Sequence, residues 1–487
     1  MRLYRNILSA GLLILALAYT LWFVFAGFGN HQDPLYWLYK YEHLEGGWMA
    51  VGTILFGGGV VRLFGAQLLP LRIIGWLCTT AAIALPYCCL LSHEQRRDNL
   101  HWLALAYVLM GYGAFQELSP GTLSVLLLSA LWVTQSPIVL GLAVAARFPN
   151  ILALLVLVPL WRKQNYWNIP IVAATAGAVY LLASFFVTPA VADAAISSHA
   201  FSAMLSKLWT NGGTLLGYGL LAIGVLACSE GFRSKPWIGG SFVGLALAYF
   251  IACAMRPTQW YNTDMTYLIS ALCLVIAFAT KQKSLYIGAV LMAVATFGTD
   301  TAWLKLFPAV LCLLPVAAVY FSENGRQHLW CALAVVSAVV AIRMSTNSIG
   351  QTDLTRVNTF ATVSPYRHIA IREAEQQRMQ QYLADVDSLQ QPILALGQEM
   401  HLMRAVTGCE AARFNEFWSN IYDSVYTAKY RDIIVAEHPV VFCSYTPQFK
   451  TKKTYQDRQS RMEQMLREEG YREIDRSRYK YMIYVPD

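Results

Sequence analysis

The chain has 487 residues and a net charge of +8, with 56% hydrophobic and only 14% charged residues. A soluble globular protein carries roughly 25% charged residues, so this composition excludes a wholly soluble chain. The positive balance does not indicate nucleic acid either. No Gly-rich phosphate loop or basic-aromatic RNA motif is present, and Lys and Arg gather in short breaks between apolar runs, as they do in the cytoplasmic loops of membrane proteins.

The apolar runs extend from Ile7 to about Ile342, and after Met344 the composition becomes that of an ordinary soluble domain. The expected division is a membrane part, 1–345, and a soluble part, 346–487. The first run, 7–28, follows a basic start and is bounded by aromatics. It exceeds the 7–15 apolar residues of a signal-peptide core, so it reads as a retained first helix. A polar, aromatic segment, 29–47, follows. The next run, 48–65, is interrupted by Gly57, Gly58 and Gly59, which weaken a helix, and it reads as re-entrant or surface-lying.

A spanning helix needs about 20 apolar residues. Candidates follow at 68–91, 100–115, 123–133, 138–146, 151–161, 169–187, 214–228, 238–254, 267–279, 285–297, 307–321 and 329–342. Basic breaks fall at Arg2 and Arg5, Arg96 and Arg97, Arg162 and Lys163, Arg233 and Lys235, Lys281 and Lys283, and Arg326. With all of these in the cytoplasm and 48–65 not spanning, the helices alternate correctly. The expectation is a polytopic α-helical membrane protein of about thirteen transmembrane helices, in the cytoplasmic (inner) membrane, with its N-terminus inside. Residues 29–67 form its first outer loop.

The C-terminal part is then extracytoplasmic. It alternates a helix pattern at 371–389, a strand at 392–396, a helix at 430–437, a strand at 440–445, a helix at 456–469 closed by Gly470, and a strand at 481–485. Such alternation predicts an α/β fold. Of the ten cysteines, most lie in apolar runs and no Cys-x-x-Cys pair occurs. Cys409 and Cys443 are the two in the C-terminal part, where an outer compartment permits a disulfide between them.

The segment 29–47 concentrates chemistry: Asp33, Lys40, Glu42, His43 and Glu45 lie among Tyr36, Trp37, Tyr39 and Tyr41. By composition this is either an interfacial aromatic belt with solvated charges or a site. Pro34 favours extended backbone at Asp33, which sets that side chain off any helix. An Asp before Pro is equally a common turn residue. Downstream, Arg256 to Asp264 includes Trp260 and Tyr261, which either stack on a sugar or pack in the belt. Gly298 to Trp303 has the same two readings, and a lone histidine such as His199 is usually structural. No cluster has zinc-ligand spacing.

The first segment resembles the GT-C class of membrane glycosyltransferases, which use polyprenyl-phosphate sugars and include protein O-mannosyltransferases and lipid A aminoarabinose transferases. The resemblance is carried by Asp33 at the opening of the first outer loop, by Leu63-Phe64-Gly65 leading into a helix with Leu71-Arg72, and by the basic turn Arg96-Arg97. It continues with a second acid, Glu117, in Phe-Gln-Glu-Leu-Ser-Pro, and with an apolar helix ending at Arg147 beside Pro149. In residues it covers about 1–160, and in architecture most of the chain. Two features depart from the family pattern: Asp33 is followed by Pro34 rather than a second acid, and no Lys-Pro-Pro occurs in the loop.

The resemblance implies an inverting glycosyltransferase that moves a sugar from a polyprenyl-phosphate donor to a lipid, glycan or protein acceptor on the outer face of the membrane. No cofactor is expected, and the lack of zinc-ligand spacing gives the same expectation for a metal. Its partners are that donor, the acceptor and membrane lipids, with no nucleic acid. Such chemistry needs a carboxylate to orient or deprotonate the acceptor, and Arg or Lys to hold the leaving phosphate. Asp33 is the first candidate for the carboxylate, with Glu117 and Glu45 as alternatives. Arg147 and Arg256 are candidates for the phosphate, and Lys40, His43, Trp260 and Tyr261 for the rest of the substrate. Glu117 also reads as a solvated loop acid, and the arginines as interfacial anchors. The alternative function is a transporter or flippase of a lipid-linked sugar, which predicts broken mid-membrane helices and an internal repeat.

Overall fold

The computed structural model describes residues 2–27, 32–113, 117–161, 166–188, 216–217, 270–271, 273–275, 277, 281–295, 302–323, 357–389, 391–397, 400–408, 424–444, 453–476 and 481–487. The candidate spans at 214–228, 238–254 and 329–342 lie almost wholly outside them.

The first half is helical. It comprises α1 (Arg2–Phe25), α2 (Gln32–His43), α3 (Val51–Phe64), α4 (Leu68–Leu90), α5 (His93–Asp98), α6 (Leu100–Gly113), α7 (Pro120–Thr134), α8 (Pro137–Ala146), α9 (Leu154–Trp161) and α10 (Asn168–Phe186). Further on are α11 (Lys283–Val294) and α12 (Ala302–Glu323). Among the described residues, Asn6–Phe25, Leu68–Leu90 and Asn168–Phe186 are long and apolar enough to cross a membrane. Large apolar side chains on them stand bare of protein, including Leu8, Ile14 and Leu15 on α1 and Leu181, Phe185 and Phe186 on α10. Apolar surface of that extent is covered by lipid, and the chain is an integral membrane protein.

α12 is buried on all sides, from Leu306 to Val319, as expected of a uniformly apolar helix inside a bundle. α1, α4, α6, α7 and α11 pack in the same core. Trp132 of α7 donates its indole N–H to the Ser284 carbonyl at 2.8 Å, and Ser129 donates to the Ala82 carbonyl of α4 at 2.6 Å. The basic turn Arg96-Arg97 rides on α5, which Ser92 and Gln95 close with a reciprocal capping box.

The glycine-rich run is a three-residue 3-10 turn followed by α3. Fourteen residues reach about 21 Å, short of the roughly 30 Å of a bilayer core. Its glycines serve packing. A Cβ at Gly57 would overlap the Tyr41 ring of α2, and one at Gly58 would overlap Leu44. One at Gly52 would come within 2.9 Å of the Ala145 carbonyl carbon of α8. Gly59 faces open space.

The C-terminal part contains β1 (Thr359–Phe360), β2 (Ala370–Ile371), α13 (Glu373–Leu389), β3 (Ile393–Gly397), α14 (Met400–Thr407), α15 (Ser424–Glu437), β4 (Val440–Ser444), α16 (Lys453–Glu468), β5 (Tyr471–Arg476) and β6 (Tyr481–Pro486). The main sheet runs β3-β4-β6-β5, with β3 and β4 parallel and the other pairs antiparallel. β1, β2, α14 and β5 are additions to the elements expected from sequence. Cys443 of β4 is buried; Cys409, the other half of the disulfide that the sequence permits, lies outside the described residues.

One apolar core joins this sheet to the front of the membrane part. Leu35, Leu38 and Tyr41 of α2, Val60 and Val61 of α3, Leu68 and Leu71 of α4, and Leu118 share it with Tyr366, Ile371, Leu402 and Met403. The end of α1 is tied in as well, through Gly27 N–H to the Ala370 carbonyl at 2.7 Å. Leu68 N–H reaches the Pro365 carbonyl at 3.0 Å.

Candidate functional site: the seam between α2 and the C-terminal sheet unit

The segment expected to form the first outer loop, 29–67, is largely helical in its described residues, which corrects the expectation for Asp33. Its backbone lies in the first turn of α2, not in an extended stretch. Proline is accommodated there because first-turn N–H groups have no intrahelical partner to lose. Lys40 and His43 in the last turn of α2 meet the negative end of the helix.

α2 has two working faces. Leu35, Leu38 and Tyr41 are buried in the shared core, and Tyr41 donates its hydroxyl to the Leu118 carbonyl at 2.9 Å. Tyr36, Tyr39, Lys40 and His43 follow helical spacing on another face. The Lys40 ammonium lies 4.6 Å above the Tyr36 ring, and the Tyr39 ring meets His43 at 4.3 Å, tilted by 44°. α14 brings two residues to this face: His401, edge-on to Tyr36 at 6.0 Å, and Arg404, 4.5 Å above the Tyr39 ring. Lys40 is only 5% exposed and Arg404 only 8%.

Glu45 closes the seam. Leu44 takes a left-handed conformation that ends α2, and the following backbone pairs with Thr188 at the end of α10. Thr188 N–H reaches the Leu44 carbonyl at 2.9 Å, and Gly46 N–H reaches the Thr188 carbonyl at 3.0 Å. The Glu45 side chain is half-buried. Burial raises its carboxyl above the ordinary glutamate range, against the opposing pull of Lys40, His43 and Arg404. A carboxyl so placed is easier to protonate than one in water.

Glu117 belongs to a second cluster. Arg72, fully buried in α4, approaches it at 3.4 Å through Nε and donates Nη1 to the Gly27 carbonyl at 3.0 Å. Nη2 of Arg72 is buried without a hydrogen-bond partner among the described residues. Leu118 N–H binds the Leu71 carbonyl at 2.9 Å, and the Thr122 hydroxyl binds the Glu117 carbonyl at 2.9 Å. Glu117 is thereby strapped across the first turns of α4, with Gly75 leaving room for its backbone. The Tyr41–Leu118 bond connects this cluster to α2.

Arg147 lies elsewhere, at the end of α8. It is buried and donates Nη1 to the Ala295 carbonyl at 2.7 Å. Phe148 beside it meets Trp48 edge-on at 4.6 Å. Arg256, Trp260 and Tyr261 lie outside the described residues. The described residues contain no grouping of three or more metal-ligating side chains.

Sequence reasoning missed Arg404 and His401, which lie in a helix of eight residues whose apolar positions, Leu402, Met403 and Val406, were its available signal. It also missed Arg72 as the partner of Glu117, although the Leu71-Arg72 pair was in view.

No protein-family profile matches the chain, and no curated protein matches it. Among solved structures, the crystal structure of ArnT from Cupriavidus metallidurans bound to undecaprenyl phosphate aligns over 98% of this chain and 97% of its own. The alignment has 11% sequence identity and a TM-score of 0.33. A superposition of that quality carries no functional argument, so function rests on the residues themselves.

Proposed function

We propose that this protein is a membrane glycosyltransferase that moves a sugar from a polyprenyl-phosphate donor to an acceptor on the outer face of the cytoplasmic membrane. The observation that carries the reading is the seam: a half-buried Glu45, pushed towards the protonated form by burial, faces Lys40, His43 and Arg404 beside a row of tyrosines. The residue resemblance at Asp33, Leu63-Phe64-Gly65, Arg72, Glu117 and Arg147 points the same way.

In this reading a hydroxyl or amine of the acceptor attacks the anomeric carbon. Its proton passes to a carboxylate, and the bond from that carbon to the phosphate oxygen breaks with its electrons staying on the phosphate. Attack from the far side inverts the anomeric centre. Asp33 takes the proton, with Glu45 and Glu117 as the other acids of the outer face. Cations hold the departing phosphate: Arg147 and Arg256 are the candidates that the resemblance and their expected place at helix ends suggest, and Lys40 lines the substrate at the seam. His43, Trp260 and Tyr261 line the sugar side. The membrane part, 1–345, carries the reaction, and the C-terminal part, 346–487, is extracytoplasmic.

The test is purified protein in lipid nanodiscs, given labelled polyprenyl-phosphate sugars and an envelope extract as acceptor. Label appearing in the acceptor fraction supports the reading. In a parallel reconstitution into sealed vesicles, label that crosses the bilayer intact on its lipid, with none transferred, supports a transporter instead.

A further inference from the structure

We propose that Arg72 is a positioning residue for the sugar transfer: it fixes the Glu117 carboxylate, and Glu117 accepts a hydrogen bond from the hydroxyl or amine of the acceptor. The inference rests on the transferase reading above and gives Glu117 a role separate from proton transfer to Asp33.

Geometry carries it. The Arg72 guanidinium is a rigid plane that reaches two partners at once. Its Nε lies 3.4 Å from Glu117 Oε1, and its Nη1 donates to the Gly27 carbonyl at 3.0 Å. Gly27 stands where the chain leaves α1 for the next segment, at a φ of 96° that glycine tolerates. The N–H of Gly27 is held too, by the Ala370 carbonyl of β2 at 2.7 Å. One side chain therefore sets the Glu117 carboxylate against the root of the segment that carries Asp33, and that root is tied in turn to the C-terminal part.

The backbone at Glu117 is fixed independently. Leu118 N–H binds the carbonyl of Leu71, the residue before Arg72, and Tyr41 of α2 donates to the Leu118 carbonyl. A Cβ at Gly75, one turn beyond Arg72, would come within 2.5 Å of the Glu117 carbonyl carbon. That glycine lets the backbone of the acid lie directly on α4.

Exposure divides the two partners. The Arg72 side chain is 0% exposed and that of Glu117 19%. A guanidinium shut inside, holding a carboxylate that reaches the surface, is the order expected of a support and the group it presents. Stability alone is a poor reason for the pair. Burying a guanidinium is costly, and apolar residues of similar volume often hold a fold equally well or better. Nη2 adds to that cost, being buried without a hydrogen-bond partner among the described residues.

The experiment uses the full chain in nanodiscs, with labelled polyprenyl-phosphate hexoses as donors, an envelope extract as acceptor, and rates counted per folded molecule. Lysine keeps the charge of Arg72 and loses the fork, so it cannot hold both partners. Arg72→Lys should lower kcat by about tenfold to a hundredfold, the worth of one hydrogen bond to a charged group, and leave the donor KM within about twofold. Glu117→Gln should lose at least as much. Because Arg72 acts through Glu117, the double variant should be about as slow as Glu117→Gln alone. Losses that multiply in the double variant would overturn the proposal. So would a normal kcat for Arg72→Lys at a lowered melting temperature, which marks a purely structural arginine. Labelling of carboxyl groups with a water-soluble carbodiimide reads the contact without turnover. Glu117 should take up label faster in Arg72→Lys than in the parent, and equal labelling would count against the contact and overturn the proposal. A parent that transfers no sugar would overturn the transferase reading instead, and the labelling would still decide whether Arg72 holds Glu117.

Discussion

Glu45 feels burial on one side and three cations on the other, and the balance predicts a measurable pH effect. Burial favours the neutral carboxyl, whereas Lys40, His43 and Arg404 favour the carboxylate. Removing Arg404 deletes one of the lowering influences, so the Glu45 carboxyl should rise further. If Glu45 must be ionised for turnover, the acid limb of the kcat/KM profile moves to higher pH in Arg404→Ala; an unmoved limb would take Glu45 out of proton transfer. Asp33 has its own test. As the base, Asp33→Asn should lose roughly 100-fold or more in turnover while still inserting and binding donor. Near-normal turnover would pass the role to Glu117 or Glu45. Arg72 is a stability prediction. Replacing it with methionine leaves Glu117 facing an apolar group and frees the Gly27 carbonyl. Removing one partner of a buried ion pair costs about 3–5 kcal/mol. With Glu117 partly exposed, the lower end of that range and a fall in melting temperature are expected.

At the scale of elements, α2 and α3 form one unit whose fit depends on two glycines. Gly57→Ala places a methyl group against the Tyr41 ring, an overpacking cost of about 1–3 kcal/mol. Because Tyr41 also holds Leu118, the same change should loosen the seam and expose residues 29–47 to protease. Gly59→Ala is the control. It faces open space, and alanine is favoured over glycine in a helix by up to about 1 kcal/mol. A melting temperature that falls for Gly57→Ala and holds or rises for Gly59→Ala fits this packing; equal effects would refute it. α14 is held differently, by Leu402, Met403 and Val406 in the sheet core and by Gly408 in a left-handed conformation just after its end.

For the whole molecule, the decisive quantity is orientation. The seam unites α2 with the C-terminal sheet unit, so the first outer loop and the C-terminus must lie on the same side of the membrane. A reporter active only outside, fused after Asp487, should be active; the same reporter fused after Arg97 should be silent. An inverted pattern would place the acids of the site in the cytoplasm and end the proposed reaction with an outer acceptor. The shared core also makes the two parts of the chain energetically dependent. Changes at Leu402 or Met403 should therefore weaken activity as well as the stability of the sheet.

The sequence by itself determined the membrane character, the helices at 68–91, 138–146 and 169–187, and the C-terminal strands at 392–396, 440–445 and 481–485. Runs of apolar residues near bilayer length and runs of β-branched residues bounded by turn signals are local properties, and local properties survive in a linear reading. It also placed Glu45, Lys40 and His43 in one short segment. It misread the backbone at Asp33, because Pro34 disfavours a helix everywhere except in a first turn, and nothing local marks where a first turn begins. It read the glycines of 48–65 as weakness, whereas Gly57 and Gly58 make room for the side chains of Tyr41 and Leu44, and Gly52 for the backbone of α8. Only the tertiary structure brought Arg404 to Tyr39 and Arg72 to Glu117. The first depends on the C-terminal sheet unit burying its apolar face against α2 to α4, and the second on Leu118 lying against α4 and Tyr41; both are long-range packing events that no local spacing encodes.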